Sequence, residues 1–135
     1  MQIFRNGARP TSKANPEYFS GDVFSSPIIV GPDPARVRAL YVSFMPGGRT
    51  AWHTHPLGQT LYVVSGYGHL QEVGGPVQVI RAGDTVWIPP GIKHWHGAAP
   101  NQAMVHVAIQ EALDGSNVTW MEHVTDDEYA VAPTA

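Results

Sequence analysis

The stretch Trp52-His53-Thr54-His55-Pro56-Leu57-Gly58-Gln59-Thr60 decides how the rest of the chain is read. Its first half has the character of a strand end. Side chains alternate along a strand, so His53 and His55 share a face. Gln59 opens the next apolar run, Thr60 to Val64, and another imidazole, His94, follows the turn Pro89-Pro90-Gly91. We expect His53, His55, Gln59 and His94 to converge on one divalent ion, because imidazole nitrogens and an amide oxygen suit a first-row divalent metal.

Outward from this stretch, short strands alternate with turns. Arg38 to Met45 places Leu40, Val42 and Phe44 on one face and Ala39, Tyr41 and Ser43 on the other. Gln59 to Ser65 reads as a strand sharing Gln59, Leu61 and Val63. Gly66-Tyr67-Gly68 then turns the chain, and His69 to Val73 returns it. Val77 to Arg81 and Thr85 to Ile88 flank the tight turn Ala82-Gly83-Asp84. Lys93 to Gly97 puts His94 and His96 on one face. Ala103 to Glu111 sets Met104, His106, Ala108 and Gln110 against Val105, Val107 and Ile109. Upstream, Gly21 to Phe24 and Ile28 to Val30 look like two short strands. Residues 1–20 read as an arm or edge strand, 21–124 as a barrel or sandwich, and 125–135 as a tail. In that tail, Thr125-Asp126-Asp127-Glu128 has the spacing of a capping box and predicts a short helix. The pattern as a whole predicts an all-β sandwich or barrel, without choosing between them.

Bulk properties narrow the function classes. At 135 residues the chain is one domain with room for a core. Fourteen Gly and twelve Pro favour turn-rich β structure. A net charge of -3, with eight unclustered Lys and Arg, argues against nucleic acid. The absence of Cys excludes disulfides, zinc thiolates and Cys nucleophiles. No apolar run approaches the ~20 residues of a membrane span, so a soluble cytoplasmic protein is expected.

The spacings resemble the cupin superfamily, a small jelly-roll barrel. Its first motif, Gly, five residues, His-x-His, three or four residues, Glu, six residues, Gly, is matched by Gly47, His53, His55, Gln59 and Gly66, with Gln in place of Glu. Its second motif is matched by Gly83, Pro89, Gly91 and His94, with Ala98 where Asn is usual. The strings WHTHPLGQTL, KHWHGAAP and DGSNVTWMEHVTDDEY are further similar to the small manganese-dependent cupins that act as hydroxynitrile lyases. The resemblance implies a single-domain cupin barrel with manganese at His53, His55, Gln59 and His94, iron or zinc being the alternatives. It also implies cleavage or formation of cyanohydrins such as mandelonitrile.

The residues themselves support such chemistry. Three neutral His and a neutral Gln leave the metal charge uncompensated, which favours Lewis-acid polarisation over redox cycling. His96 and His106 share the inward parity, and a His near a metal can act as general base. The scheme has His96 exchanging the cyanohydrin hydroxyl proton with departing cyanide, while His106 and Gln110 hold cyanide by hydrogen bonds. Leu40, Val42, Phe44, Leu61, Val63, Trp87 and Ile109 are candidate apolar walls. His69 and His123 read as surface or structural. Trp52, Trp95 and Trp120 are expected in the core or at a subunit interface. The apolar runs Ile28-Ile29-Val30 and Val105-Val107-Ile109 predict a homodimer or homotetramer. The rival functions are a metal-dependent dioxygenase and a non-catalytic small-molecule-binding cupin.

Overall fold

The computed structural model describes residues 1–134; Ala135, the last residue of the expected tail, lies outside the described residues. In chain order the strands are β1 (Ser12–Lys13), β2 (Phe19–Ser20), β3 (Val23–Val30), β4 (Val37–Phe44), β5 (Arg49–Thr50) and β6 (His53–Thr54). They continue with β7 (Gln59–Glu72), β8 (Gln78–Arg81), β9 (Thr85–Ile88), β10 (His94–Ala98), β11 (Met104–Glu111) and β12 (Thr119–Trp120). The one helix described, α1 (Asp126–Tyr129), carries the full capping box between Thr125 and Glu128.

All described pairings are antiparallel, and the sheet path runs β1-β3-β4-β11-β7-β10-β5-β2, curling into a half-barrel. β7 makes the curl possible. Its first half pairs with β11 and β9, and its second half with β10 and β8. The expected turn at Gly66-Tyr67-Gly68 is therefore corrected: the strand continues through it and changes sheets. Gly66 has φ 83°, and a Cβ there would collide with the carbonyl of Ala103, so the bend needs a residue without a side chain. The two short strands expected around Ser25-Ser26-Pro27 are likewise one strand, β3. Its register against β4 shifts between Pro27 and Ile29, where proline offers no ladder donor.

Alternation along these strands gives the barrel an apolar floor. Val63 packs with Val42, Phe44, Ile80 and Met104, and Leu61 packs with Ile88 and Ala108. Burying each such side chain contributes roughly 1.5–3 kcal/mol. A second apolar cluster, Trp52, Val77, Trp95, Val124 and Tyr129, lies on the other side of β10. The C-terminal segment is held to the barrel there, where buried Arg49 donates to the Val124 carbonyl and to Asp126 and stacks on the Tyr129 ring. His69 is buried beside Tyr67 and Tyr129, while His123 is exposed. The N-terminal segment is stitched to both edges, β1 to β3 and β2 to β5.

Candidate metal centre

The ladder assembles the polar end of the barrel from distant residues. His94 on β10 is paired with His53 on β6, and Trp120 on β12 is paired with His53 from the other side. Gln59 and Gln110 face each other across β7 and β11. His53, His55, Gln59, His94, His96, His106 and Gln110 are all buried. Ring nitrogens of His53, His94 and His96 lie within 4.8 Å of one another, a buried three-histidine metal-binding cluster. His96 thus stands in the trio where His55 was expected; His55 lies beside it, its ring centroid 5.0 Å from that of His53 and 5.6 Å from that of His94.

Backbone carbonyls fix which nitrogen each ring presents. Nδ1 of His53 donates to Ala51 O at 2.8 Å, Nδ1 of His94 to Ile92 O at 2.8 Å, and Nδ1 of His55 to Asn117 O at 2.6 Å. A neutral imidazole with its proton on Nδ1 leaves Nε2 as a lone-pair donor. Nε2 of His55 and His94 is buried without a hydrogen-bond partner. Gln59 is oriented in the same way. Its Nε2 donates to Gln110 Oε1 at 3.0 Å, and Gln110 Nε2 donates to Arg38 O at 3.0 Å. The Gln59 oxygen is left buried and unpartnered. Orphaned buried acceptors are costly and rare in folded proteins. Several converging here, each oriented by a bond on its far side, fit a divalent metal.

Electrostatics keep these rings neutral. Burial holds His53 well below the usual histidine range, with His94 and His55 adding to the effect and the Ala51 carbonyl opposing it. Burial lowers His94 to about 4, against the bond to Ile92. His96 is held well below the usual range by burial, then by His106 and the other histidines, and burial takes His106 to about 4. Nδ1 of His96 and Nε2 of His106 are 3.0 Å apart and share a hydrogen bond. The edge of Phe44 packs against both rings.

His53, His55, Gln59, His96, His106 and Gln110 line a cavity of about 270 Å³, whereas His94 borders a separate pocket with Leu70, Ile88 and Ile92. Leu40, Val42 and Phe44 line the cavity as expected from parity. Leu61 and Val63 do not: they are fully buried in the apolar clusters behind it, packed against Val42, Phe44 and Ala108, which reach its wall. Trp87 and Ile109 are also corrected. Both belong to the opposite face; Trp87 pairs with Thr60, is 60% exposed, and leaves Val86 and Ile88 to face inward. Further lining comes from Phe19, Thr50, Ala108, Asn117, Val118 and Trp120. Ala108 was legible from its parity with His106 and Gln110. Trp120, expected in the core or at an interface, instead faces the cavity, stacked on Tyr18 and tilted against His53. Nothing local to the sequence marks the segment Asn117–Trp120 as a cavity wall. Among the described residues, no Asp, Glu, Lys or Arg lines the cavity.

A curled antiparallel β sheet holding clustered imidazoles at one end defines a metal-binding cupin. The Cupin domain model matches residues 40–109, and the chain belongs to that family. It is 56% identical to an (R)-mandelonitrile lyase of Granulicella tundricola over 129 residues, covering 96% of this chain and 98% of that one. Among solved structures, a cupin-like protein from Thermotoga maritima aligns with a TM-score of 0.84 and 38% identity, covering 96% of this chain and 95% of that one. A polyketide cyclase from Streptomyces resistomycificus aligns with a TM-score of 0.73 at 20% identity, over 96% of this chain and 90% of that one, and shares the fold alone. No described helix is long and apolar enough to cross a membrane.

Proposed function

We propose that this protein is a hydroxynitrile lyase that cleaves and forms cyanohydrins such as mandelonitrile. His53, His55, Gln59 and His94 would hold its metal, manganese in preference to iron or zinc. The observation that carries the reading is the charge balance of the cavity: donors with orphaned lone pairs, and no charged side chain in the lining. A carboxylate substrate would find no cation besides the metal. A neutral cyanohydrin with an apolar substituent fits such walls. The similarity to the Granulicella tundricola lyase supports the same reading.

When bound, the divalent ion supplies Lewis-acid polarisation of the cyanohydrin hydroxyl. The chain's own residues handle the proton. His96 Nε2 is buried and unpartnered, so it is placed to accept the hydroxyl proton. That role requires the other His96 proton on Nδ1, donated to His106 Nε2. As the carbon–carbon bond breaks, its electron pair leaves with cyanide, and the proton taken by His96 returns to give hydrogen cyanide and the aldehyde. His106 holds the His96 ring in the orientation this needs. Gln110, first read as a cyanide ligand, has its oxygen engaged by Gln59 and one amide hydrogen by Arg38, so we assign it to aligning Gln59.

The test is mandelonitrile cleavage by protein reloaded with manganese, iron or zinc in the absence of oxygen. We expect cyanide release with manganese, and a loss of 10²–10⁴-fold in His96→Ala. Because His96 belongs to the three-histidine cluster, metal retained in that variant supports the proton-acceptor role, and metal lost with activity makes His96 a ligand. No release with any metal would sink the lyase. Release or substrate loss only with oxygen would select a dioxygenase, and saturable binding without turnover a binding protein. We further propose a homodimer or homotetramer, because Tyr41, Tyr62, Trp87 and Ile109 leave an apolar patch on the outer face.

A further inference from the structure

We propose that Arg38, outside the cavity lining, is a positioning residue whose guanidinium sets one of the four proposed ligands, His55, while its main-chain carbonyl anchors the Gln110–Gln59 pair; the inference rests on the metal-site reading above. Arg38 sits on β4 opposite Gln110 on β11. Its guanidinium reaches the segment that follows β11. Nη1 donates to Asn117 Oδ1 at 2.8 Å, and Nη2 points to Gly115 O at 3.4 Å. Asn117 is the residue whose backbone carbonyl accepts from His55 Nδ1. From its other end, the Arg38 carbonyl accepts from Gln110, which in turn accepts from Gln59.

This segment needs such an anchor. It turns at Asp114 and Gly115, both with positive φ, between the bridged residues Leu113 and Ser116. The two-residue strand β12 then pairs it with β6. Asp33, Asp114, Arg36 and Arg38 border one surface groove, yet Arg38 forms no ion pair among the described residues. Its charge is directed at neutral acceptors of the segment. Charge-assisted bonds of this kind are about twice as strong as neutral ones, and a guanidinium can serve two acceptors at once. Losing the clamp would let Asn117 shift and release the His55 ring from its fixed tautomer and angle.

The experiment measures manganese(II) binding by chelator competition in the full chain. Arg38→Ala and Asn117→Ala should each raise the dissociation constant about tenfold, the scale of outer-sphere hydrogen bonds at metal sites. Asn117→Ala removes the side-chain acceptor but keeps the carbonyl that holds His55. The double variant should be no worse than Arg38→Ala, since that change already breaks the bond to Asn117. Arg38→Lys should recover part of the affinity, and it keeps the test open if Arg38→Ala folds poorly. The metal-free melting midpoint of Asn117→Ala should stay near wild type, which separates positioning from bulk stability. Single variants within about twofold of wild type, or losses that multiply in the double variant, would overturn the clamp alone. A wild-type chain that binds none of manganese, iron(II) or zinc would overturn the metal reading and the clamp with it.

Discussion

The two ends of the barrel interior are built from the same strands on opposite terms. β7 passes through both: Gln59 faces the polar end, while Leu61 and Val63 face the floor. β11 does likewise, with Met104 in the floor and Gln110 at the other end. In the floor every buried side chain is apolar and packed. At the polar end several buried nitrogens and an oxygen have no partner. Floor residues stabilise the fold in proportion to the area they remove from water. Polar-end residues carry the cost of desolvated groups that only a bound ligand relieves. Stability and function are thus weighted toward opposite ends of the barrel interior, with Val42, Phe44 and Ala108 shared between floor and cavity wall, and substitutions at either end should sort accordingly.

The sharpest break would be His53→Ala. Metal content should fall to a small fraction and cyanide release to background, while the metal-free melting midpoint stays near wild type. A metal-replete, active variant would undo the assignment of the polar end. Next in size is Leu61→Ala in the floor, which should cost about 2–5 kcal/mol in denaturant unfolding. Metal content per folded chain should be unchanged.

Acidity probes the same division without mutation. The buried histidines have lowered folded-state pKa values, so below the ordinary value of 6.5 the unfolded chain binds protons that the folded chain does not. Stability of the metal-free protein should therefore be full above about 6.5 and fall as pH drops toward 4, where His94 and His106 titrate in the folded state. His106, lowered by burial, contributes to this loss together with its partner His96. Urea midpoints recorded across that range would show it, and a flat profile would contradict the neutral cluster.

Gln59→Glu asks a finer question of the polar end. A carboxylate would offset one unit of metal charge and abolish the amide donation to Gln110. We expect tighter manganese binding but turnover reduced on the order of tenfold, about 1.4 kcal/mol of barrel-independent barrier height. Unchanged turnover would mean that the neutral ligand is not what tunes the site. The smallest effect belongs to neither end. Trp87→Ser on the outer face should leave monomer stability within about 0.5 kcal/mol. It should shift the oligomeric state measured by light scattering if that face joins subunits.

Much of this arrangement was legible along the chain because strand alternation is a local rule. It placed His53 with His55, His94 with His96, and His106 with Ala108 and Gln110, and it separated Leu40, Val42 and Phe44 from their neighbours. The capping box at Thr125 was equally local. Alternation fails where a strand does not stop. Gly66 looked like a turn residue, but the chain uses its freedom to bend and continue, so β7 reaches a second sheet. Alternation also cannot say how deep an inward residue lies, which is why Leu61 and Val63 are floor and not wall.

The sequence by itself determined the all-β pattern, the cupin spacings and the neutral donors of the candidate metal centre, because these depend on residue type and on distances of a few positions. Only the tertiary structure decided how those donors are held. The carbonyls of Ala51, Ile92 and Asn117 that fix the rings, the Arg38–Gln110–Gln59 chain and the Trp120 wall all join residues by backbone position or across long separations. A backbone carbonyl is the same group in every residue, so no side-chain pattern announces which one will face an imidazole. That is settled when the sheet curls and the C-terminal segment closes over it.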